Sequence, residues 1–503
     1  MELEKIIQIA KRRGIIFPSS EIYGGLAGFF DYGNVGLLLK RKIENSWREF
    51  FVKSEEKIFE VETSLIMHER VWEASGHLKS FIDPITQCKK CNSFYRADNL
   101  IQESTNRFVE GLKIEDLTKI IEKEKLKCPK CKGDLSEVKI FNLMLSTNVG
   151  PASGNKAYLR PETAQGIFVN FKNLLTSTRA SLPFGVAQVG KSYRNEISPR
   201  QWIMRLREFS QMEIEYFFNP NKAEAPDKNL LETKIRILTR EAQKEKNPKE
   251  VEIKAKEAVE KRIIPNEIMA YFMVKEFIWY QRLGIPREAL RFRHMLPEET
   301  PHYSSGNFDL EIKFDFGWRE VVGNAYRTDH DLSSHMKHSG EDFGVVDGKD
   351  KIVPHVFEPS FGMERTIYAV LLYCFKEGKE RGWSWFAFPP NISPYSVGVF
   401  PLVNKDGLPE KAKEVYTVLK NCFDAYYDES GSIGKRYARA DEIGVPYCVT
   451  IDYDTLRDST VTIRNRDDCS QARAKISNIV DIVFNLINSK IKFDGLKKNS
   501  VKT

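Results

Sequence analysis

Apolar and polar residues alternate with different periods along the chain, and the changes of period divide it into elements. Apolar positions at helical spacing predict a helix over residues 35–53, and KIFEVETSLIM from 57 to 67 predicts the strand that follows it. Strand-type composition returns at 184–196 and at 204–218, and the turn-rich ISPRQW between them predicts a long antiparallel hairpin.

The second strand of this hairpin has two chemically different faces. Strand periodicity places the polar residues of QMEIEYF on one face and its apolar residues on the other (Gln211, Glu213 and Glu215 against Met212, Ile214 and Tyr216). We therefore expect one face of this strand to carry carboxylates and the other to be apolar.

Two segments interrupt the sheet pattern and are interpreted as insertions. Residues 84–140 are short, polar and turn-rich, with a small helix predicted in IEDLTKIIEKEKL. The second insertion, about 219–295, is predicted to be helical, because from Asn219 to Ile263 lysines and glutamates recur four residues apart.

A domain boundary is expected at FPPNISPY, where prolines break the pattern. Residues 1–387 then form one domain with the two insertions, and residues 388–503 form a compact α/β domain in which strands and helices alternate. Its last predicted element is a helix over residues 471–487.

Composition places the chain among globular proteins. Hydrophobic residues make up 41% and charged residues 29% of its 503 residues. With no signal-like apolar segment at the start and no run of eighteen apolar residues, a cytosolic protein without a membrane span is expected. The net charge of +7 is too small for a dedicated nucleic-acid wrapper, but it leaves room for local basic surfaces.

Four of the eight cysteines form two C-x-x-C pairs inside the first insertion. CKKC and CPKC (Cys88, Cys91, Cys128 and Cys131) have the spacing of a structural Cys₄ zinc site. The alternative is a set of reduced cysteines without metal. A redox role is disfavoured because neither pair opens a helix after a strand.

The hairpin also concentrates cations near its turn. Arg194 lies near the end of the first strand, and Arg205 and Arg207 lie on the return strand just before Phe209. Guanidinium forks beside an aromatic face would suit ATP. The alternative is a solvated hairpin whose arginines pair only with Glu196 and Glu208.

Two further stretches combine acids with helix starts. In YLRPETAQGIFVNF, at 158–171, Glu162 precedes a predicted helix. In PHVFEPSFGMERTIYAVLLY, at 354–373, a strand is predicted to end at Glu358 and Pro359, and a helix to begin around Gly362.

Together these stretches resemble the glycyl-tRNA synthetases, which are homodimeric class II aminoacyl-tRNA synthetases. The resemblance rests on SSEIYGGLAGFFDYG, RPETAQG, SYRNEISPRQ and EPSFGMER in this order, and on PLVNKDGLPEKA, SIGKRYARADEIGVPYCVT and VTIRNRD near the C-terminus. It implies an α+β fold: an antiparallel-sheet catalytic domain with insertions, followed by an α/β anticodon-binding domain. It also implies a homodimer whose interface lies largely in the first hundred residues.

The implied reaction uses glycine, ATP and Mg²⁺ to form glycyl-adenylate, and then transfers glycine to tRNA(Gly). By this resemblance Arg194 grips the α-phosphate, Arg365 covers the adenine and reaches the γ-phosphate, and Glu320 acts through Mg²⁺. The implied ATP site comprises Arg194, Asn195, Glu196, Arg205, Arg207, Phe209, Glu320, Val321, Gly362 and Arg365.

The resemblance implies an equally specific glycine site. Glu162, Glu213 and Glu358 would surround the ammonium, and Arg327 would face the carboxylate. The implied glycine site comprises Arg96, Glu162, Phe209, Gln211, Glu213, Arg327, Glu358 and Ser360. Three converging carboxylates repel one another unless a cation lies among them.

Two alternatives stay open at this point. A tRNA-binding paralogue without activity should have lost the phosphate arginines or the ammonium carboxylates, which this chain keeps. A class II enzyme for serine, threonine or proline would need a wider pocket than three converging carboxylates permit.

Overall fold

A computed structural model describes residues 2–105, 107, 109, 112–151, 155–199, 201–300, 304–378 and 380–498 of the chain. Arg200, within the ISPRQW turn, and the last five residues of the predicted C-terminal domain lie outside the described residues. No helix in the described ranges is long and apolar enough to span a membrane.

Up to residue 387 the helices are α1 (Glu2–Arg12), α2 (Asn34–Trp47), α3 (Glu69–Ala74), α4 (His77–Ser80), α5 (Ala97–Thr105), α6 (Ile114–Lys123), α7 (Ala164–Val169), α8 (Phe171–Thr178), α9 (Ala255–Glu260), α10 (Glu267–Arg282), α11 (His330–Ser339) and α12 (Met363–Cys374). The strands are β1 (Ile16–Pro18), β2 (Phe30–Tyr32), β3 (Ile58–Val61), β4 (Ile66–His68), β5 (Ile82–Gln87), β6 (Phe94–Arg96), β7 (Lys139–Asn142), β8 (Leu145–Val149), β9 (Asn155–Leu159), β10 (Phe184–Tyr193), β11 (Glu208–Phe218), β12 (Lys234–Leu238), β13 (Val251–Lys254), β14 (Leu290–His294), β15 (Gly306–Phe314), β16 (Gly317–Thr328), β17 (Val345–Asp347), β18 (Asp350–Ile352), β19 (His355–Gly362), β20 (Phe375–Lys376) and β21 (Trp385–Phe386).

A nine-stranded sheet forms the centre of the described structure, in the order β13-β12-β14-β15-β16-β19-β11-β10-β3. Most neighbouring strands are antiparallel, and helices cover both faces, so the α+β class predicted from the sequence is confirmed. Met212, Ile214 and Tyr216 pack on one face against α2, α10 and α12. On the opposite face, Phe184, Val186 and Phe217 form an apolar cluster with α7, α8 and α11.

The predicted hairpin is confirmed as β10 and β11, paired antiparallel from Phe184 opposite Phe217 to Tyr193 opposite Glu208. The prediction that Arg205 and Arg207 lie on the return strand is wrong, because β11 begins at Glu208 and both arginines belong to the connecting loop. The predicted strand end at Glu358 and Pro359 is also wrong, since β19 continues to Gly362 before α12 begins.

The helical prediction for residues 219–263 is wrong. Strands β12 and β13 extend the central sheet there, and only the short helix α9 follows them. Ile235 and Ile237 are fully buried on alternate positions of β12, so strand periodicity outweighs the pattern of lysines and glutamates. Within the predicted insertion the long helix is α10, which is buried along most of its length.

The first insertion forms a small module of its own. Strands β6, β5 and β7 make a three-stranded sheet, and the predicted helix is confirmed as α6. Leu100, Ile101, Leu117 and Ile121 form its apolar core beside the cysteines. The module lies next to the loop between β10 and β11, where Ser198 Oγ donates to the Phe94 carbonyl.

The C-terminal part contains β22 (Val397–Pro401), α13 (Leu408–Lys420), β23 (Ala425–Tyr427), α14 (Ile433–Glu442), β24 (Tyr447–Ile451), α15 (Tyr453–Asp458), β25 (Thr460–Asn465), β26 (Gln471–Lys475), α16 (Ile479–Ile487) and α17 (Phe493–Lys498). Its sheet has the order β23-β22-β24-β25-β26. The helix predicted over 471–487 begins only at Ile479, because QARAK pairs with β25 as an edge strand and buries Ala472.

Candidate active site

The site lies on the polar face of β10, β11, β19 and β16, and side-chain size changes along that face. At one level Gln211 lies between Gly190 and Gly362, and at the next Glu213 lies between Gln188 and Ser360. A Cβ at Gly190 would lie 2.2 Å from Arg160 Nη2, and Arg160 is fixed by bonds to the carbonyls of Lys191 and Thr63, so glycine gives it room to cross this strand. The small residues leave a cleft over the upper part of the face.

This cleft is open to solvent. It is lined by Arg194, Glu196, Ile203, Met204, Arg205, Leu206, Phe209, Gln211, Glu320, Val321, Ser360, Gly362, Glu364 and Arg365. The Arg194 guanidinium lies over the Phe209 ring, 5.3 Å from its centroid, and Nε donates to the Pro161 carbonyl at 3.1 Å. A guanidinium fixed on an aromatic ring gives the cleft a preorganised positive charge.

The second cationic side chain of the cleft is Arg365, in the first turn of α12. Its Nε donates to the Met204 carbonyl at 3.2 Å, and its Nη1 donates to the Glu320 carbonyl and carboxylate at 2.9 and 3.0 Å. The adjacent Glu364 accepts from the Ser210 amide at 2.8 Å and from the Tyr32 hydroxyl at 3.0 Å. Glu364 thus ties α12 to β11 below the cleft, a role that sequence reasoning missed.

The structure separates the arginines of the hairpin loop into two kinds. Arg205 lines the cleft and pairs with Glu196 at 3.3 Å. Arg207 turns to the backbone, with Nε donating to the Glu196 carbonyl and Nη1 to the Ala27 carbonyl, each at 2.9 Å. Asn195 is held by its backbone N–H, which donates to the Leu143 carbonyl at 2.8 Å.

Behind Gln211 and Ser360 the face continues into a buried pocket of acids around one arginine. Glu162, Glu213 and Glu358 are each less than a tenth exposed. Arg327 donates to Asp331 at 2.7 and 3.0 Å, also bonds Glu358, and lies 3.6 Å from Glu162. The predicted acids therefore converge, but the arginine predicted for the substrate carboxylate is itself bound to these acids.

Hydrogen bonds and burial give the acids different proton affinities. Burial raises the pKa of Glu358 to about 8, although Arg327 opposes it. Burial also raises the pKa of Glu213, whose carboxylate accepts from the Thr163 amide at 3.0 Å and Gln211 Nε2 at 2.6 Å. At Glu162 burial is outweighed by His77 and Arg327, which hold the pKa well below its usual range.

Two family models and several relatives match the chain. A model of the class II core domain of tRNA synthetases (G, H, P, S and T) matches residues 149–372, and a model of an anticodon binding domain matches 396–486. The glycine–tRNA ligase of Methanothermobacter thermautotrophicus is 42% identical over 95% of this chain and 98% of its own. That of Pyrococcus furiosus is 43% identical over 95% and 97%, and that of Aeropyrum pernix 40% identical over 98% of each.

The chain belongs to the glycine–tRNA ligase family. It is an aminoacyl-tRNA ligase that attaches glycine to tRNA(Gly), with a class II core and an anticodon-binding domain. These relatives support neither an inactive tRNA-binding paralogue nor an enzyme for serine, threonine or proline.

Within this glycine–tRNA ligase fold, Arg96, which the resemblance assigns to the glycine site, lies beside the cleft. It lines a neighbouring cavity together with Glu196 and Arg205, and it pairs with Asp83 at 3.1 Å and Asp98 at 2.5 Å. Its position beside the cleft mouth connects the first insertion to the loop of the hairpin.

Sequence reasoning missed several groups that shape the acid pocket of this ligase. Gln165 Nε2 donates to both Glu162 and Asp331, at 3.0 and 2.8 Å, and His77 lies 3.5 Å from Glu162. Glu215 is the remaining acid of the polar face, and its signal was present in the alternation that selected Gln211 and Glu213. The partners of Glu162 come from distant segments and had no comparable local signal.

The four paired cysteines converge at one end of the first insertion. One sulfur atom from each lies within 4.8 Å of the others, with 3.5 Å between Cys88 and Cys131 and 3.6 Å between Cys91 and Cys128. The two pairs form the same turn, in which the amides of Asn92 and Lys132 donate to the carbonyls of Cys88 and Cys128. Four thiolates around zinc at about 2.3 Å lie about 3.8 Å apart, so the donor set fits this ion.

Proposed function

We propose that the cleft and the acid pocket together form glycyl-adenylate, from which glycine is transferred to the terminal ribose hydroxyl of tRNA(Gly). In the first step the glycine carboxylate attacks the α-phosphorus of ATP, and pyrophosphate leaves with its electron pair. The observation that supports this assignment is the shared border of the two sites, where Gln211 and Ser360 face the cleft and bond Glu213 behind it.

ATP is proposed to bind with its adenine near Phe209 and its phosphates between Arg194 and Arg365. The two guanidinium groups are held by backbone carbonyls before substrate arrives, so they stabilise the charge of the pentacovalent transition state without reorganising. The Glu320 carboxylate lies at the cleft and is about half exposed, which suits a Mg²⁺ ligand. Mg²⁺ would neutralise phosphate charge there.

Glycine is proposed to place its ammonium in the acid pocket and its carboxylate toward the α-phosphate. One arginine, Arg327, lies among four acids of the pocket (Glu162, Glu213, Asp331 and Glu358), so a second cation would lower the repulsion between their carboxylates. Glycine brings this cation without a side chain that the buried pocket would have to accommodate.

Pyrophosphate exchange into ATP tests the assignment directly. We expect exchange with glycine and none with alanine or serine. Arg194→Ala should lower exchange at saturating glycine about 100-fold or more, because a charge preorganised for the transition state is lost. Glu358→Gln should raise KM for glycine and leave KM for ATP unchanged. Equal losses for both substrates in Glu358→Gln, or exchange with alanine, would contradict the assignment.

A matched control uses an exposed acid outside the site. Glu341 pairs with Lys172 on the surface, where both side chains are more than half exposed. Glu341→Gln should therefore retain the exchange rate and both KM values.

For the four cysteines we propose a structural zinc that closes the two turns of the first insertion. Purified protein should contain one zinc per chain by mass spectrometry of metals, and Cys128→Ser should lose it. Cys422→Ser is the control, because Cys422 is exposed and remote from the four. A chain that folds and works without metal would support the alternative of reduced, unmetallated cysteines.

The domain boundaries, the compartment and the assembly are also proposals. Residues 1–387 are assigned to the catalytic domain, with its two insertions, and 388–503 to the anticodon-binding domain, around the matched ranges. Eight free cysteines support a reducing, cytosolic location. A homodimer is supported by the exposed side chains of Ile22, Tyr23 and Leu26, which are 88%, 86% and 58% accessible on the segment that resembles the family opening.

A further inference from the structure

Glu215 is a buried acid whose side chain lacks a protein partner. It is fully buried on β11, two residues beyond Glu213 on the same face, and neither carboxylate oxygen has a hydrogen-bond partner among the described residues. Burying an unpaired polar group costs several kcal/mol, about 2–7 by transfer measurements. Such a group is retained in a binding pocket when a ligand satisfies it.

The position of Glu215 identifies the space into which it points. One oxygen each from Glu213, Glu215 and Glu358 lie within 4.8 Å of one another. A point between three atoms so placed is at most about 2.8 Å from each, which is the length of a charge-assisted N–H···O bond. A primary ammonium has three N–H donors and can therefore serve all three acids.

The other charged groups around this space already have partners. Arg327 is bound to Asp331 and Glu358, and Glu162 accepts from Gln165 while lying near His77 and Arg327. Burial, with the nearby Glu358 carboxylate, raises the pKa of Glu215 well above its usual value, and Arg327 offsets this only in part. A proton bound to Glu215 in the free pocket would be replaced by the arriving ammonium and would leave to solvent.

We propose that Glu215 is a further direct acceptor for the glycine ammonium, together with Glu213 and Glu358. This inference rests on the proposed function of the acid pocket. It makes Glu215 a specificity residue for a primary amine, because N-methylglycine offers two N–H donors to three acceptors.

Kinetics of pyrophosphate exchange separate this role from a structural one. Glu215→Gln should raise KM for glycine at least tenfold and change KM for ATP less than twofold. Glu215→Leu, which lacks an acceptor, should lower the preference for glycine over N-methylglycine in kcat/KM at least tenfold. Both variants should keep the thermal midpoint of the wild type within a few degrees, since the lost group has no protein partner.

A matched control is Glu276→Gln on α10. Glu276 is also fully buried with a raised pKa, but its carboxylate accepts from Asn324 on the opposite face of the sheet. This variant should keep the wild-type KM for glycine. If it raises that KM as much as Glu215→Gln does, the effect is one of packing and the inference is overturned.

Two further results distinguish the remaining outcomes. If the wild type shows glycine-dependent exchange and Glu215→Gln has an unchanged KM for glycine, the role of Glu215 is overturned and the proposed function stands. If the wild type shows no glycine-dependent exchange, the proposed function itself is overturned. Calcium, titrated without substrates, should bind the wild-type protein and Glu215→Gln with the same affinity. A calcium site lost only in that variant would assign the three acids to a metal and overturn the inference.

Discussion

At the residue scale, the protonation state of the Glu358 carboxyl group should make glycine recognition depend on pH. Burial raises its pKa to about 8, so below that pH a proton occupies the carboxyl that the ammonium must approach. Because proton and ammonium compete, KM for glycine should fall as pH rises from 6 to 8, by up to about tenfold per pH unit for each proton that the ammonium displaces. Exchange kinetics at saturating ATP measure this. A flat profile, or one shared by KM for ATP, would contradict the competition.

Residue periodicity predicted the acid face better than it predicted the arginines. Gln211 and Glu213 follow from strand alternation alone, because every second residue of β11 meets the same neighbours. Arg207 does not, since its donors go to carbonyls of Ala27 and Glu196 that only the folded loop brings together. The resemblance placed Arg327 at the substrate carboxylate, but Asp331, four residues later in the first turn of α11, accepts two of its hydrogen bonds.

At the element scale, the loop between β10 and β11 is braced by Arg207 rather than by contacts with the cleft. Its amide and Nη1 donate to the carbonyls of Gly28 and Ala27, and its Nε donates to Glu196 inside the loop. Arg207→Ala should lower kcat/KM for ATP about tenfold to 100-fold, because small misplacements of catalytic groups are costly. Arg207→Lys should not restore it, since one ammonium cannot reproduce the fork.

The brace is distinguished from a general charge effect by a neighbouring cation. Lys191 lies on β10 near the same loop and pairs with Glu208 at 3.1 Å on a partly exposed surface. Lys191→Ala should keep at least half of the wild-type kcat/KM for ATP. Equal losses in the two variants would show that net charge, rather than the brace, controls nucleotide use.

Elements with one strong period were predicted well, and those with two competing periods were not. The hairpin and α6 each carry a single clear pattern. Residues 219–263 carry charges at helical spacing together with alternating isoleucines, and the burial of Ile235 and Ile237 against the core decided for strands. At QARAK, pairing with β25 overrode helix propensity, an effect of distant residues that no local window contains.

At the scale of the whole molecule, the N-terminal segment connects the cleft to a surface that no described residue covers. Residues 19–29 expose Ile22 and Tyr23, and the same segment provides the Ala27 and Gly28 carbonyls that hold Arg207. Large side chains exposed together are typical of protein interfaces. A partner subunit that packs on this segment would also fix the loop at the nucleotide site, so assembly and activity should change together.

If the proposed homodimer packs through this surface, an aspartate at its centre should separate the subunits. Tyr23→Asp should shift the chain from dimer to monomer in analytical ultracentrifugation, because an ionised carboxylate would have to be buried at the contact. The monomer should lose pyrophosphate exchange at least tenfold while keeping its thermal unfolding cooperative. Val346→Asp is the control, since Val346 is 71% exposed on the β17–β18 hairpin, and this variant should leave the dimer intact.

If Tyr23→Asp stays dimeric, the interface lies elsewhere. If it is monomeric and fully active, the Arg207 brace holds the loop without a partner, because its contacts with Ala27 and Gly28 lie within one chain.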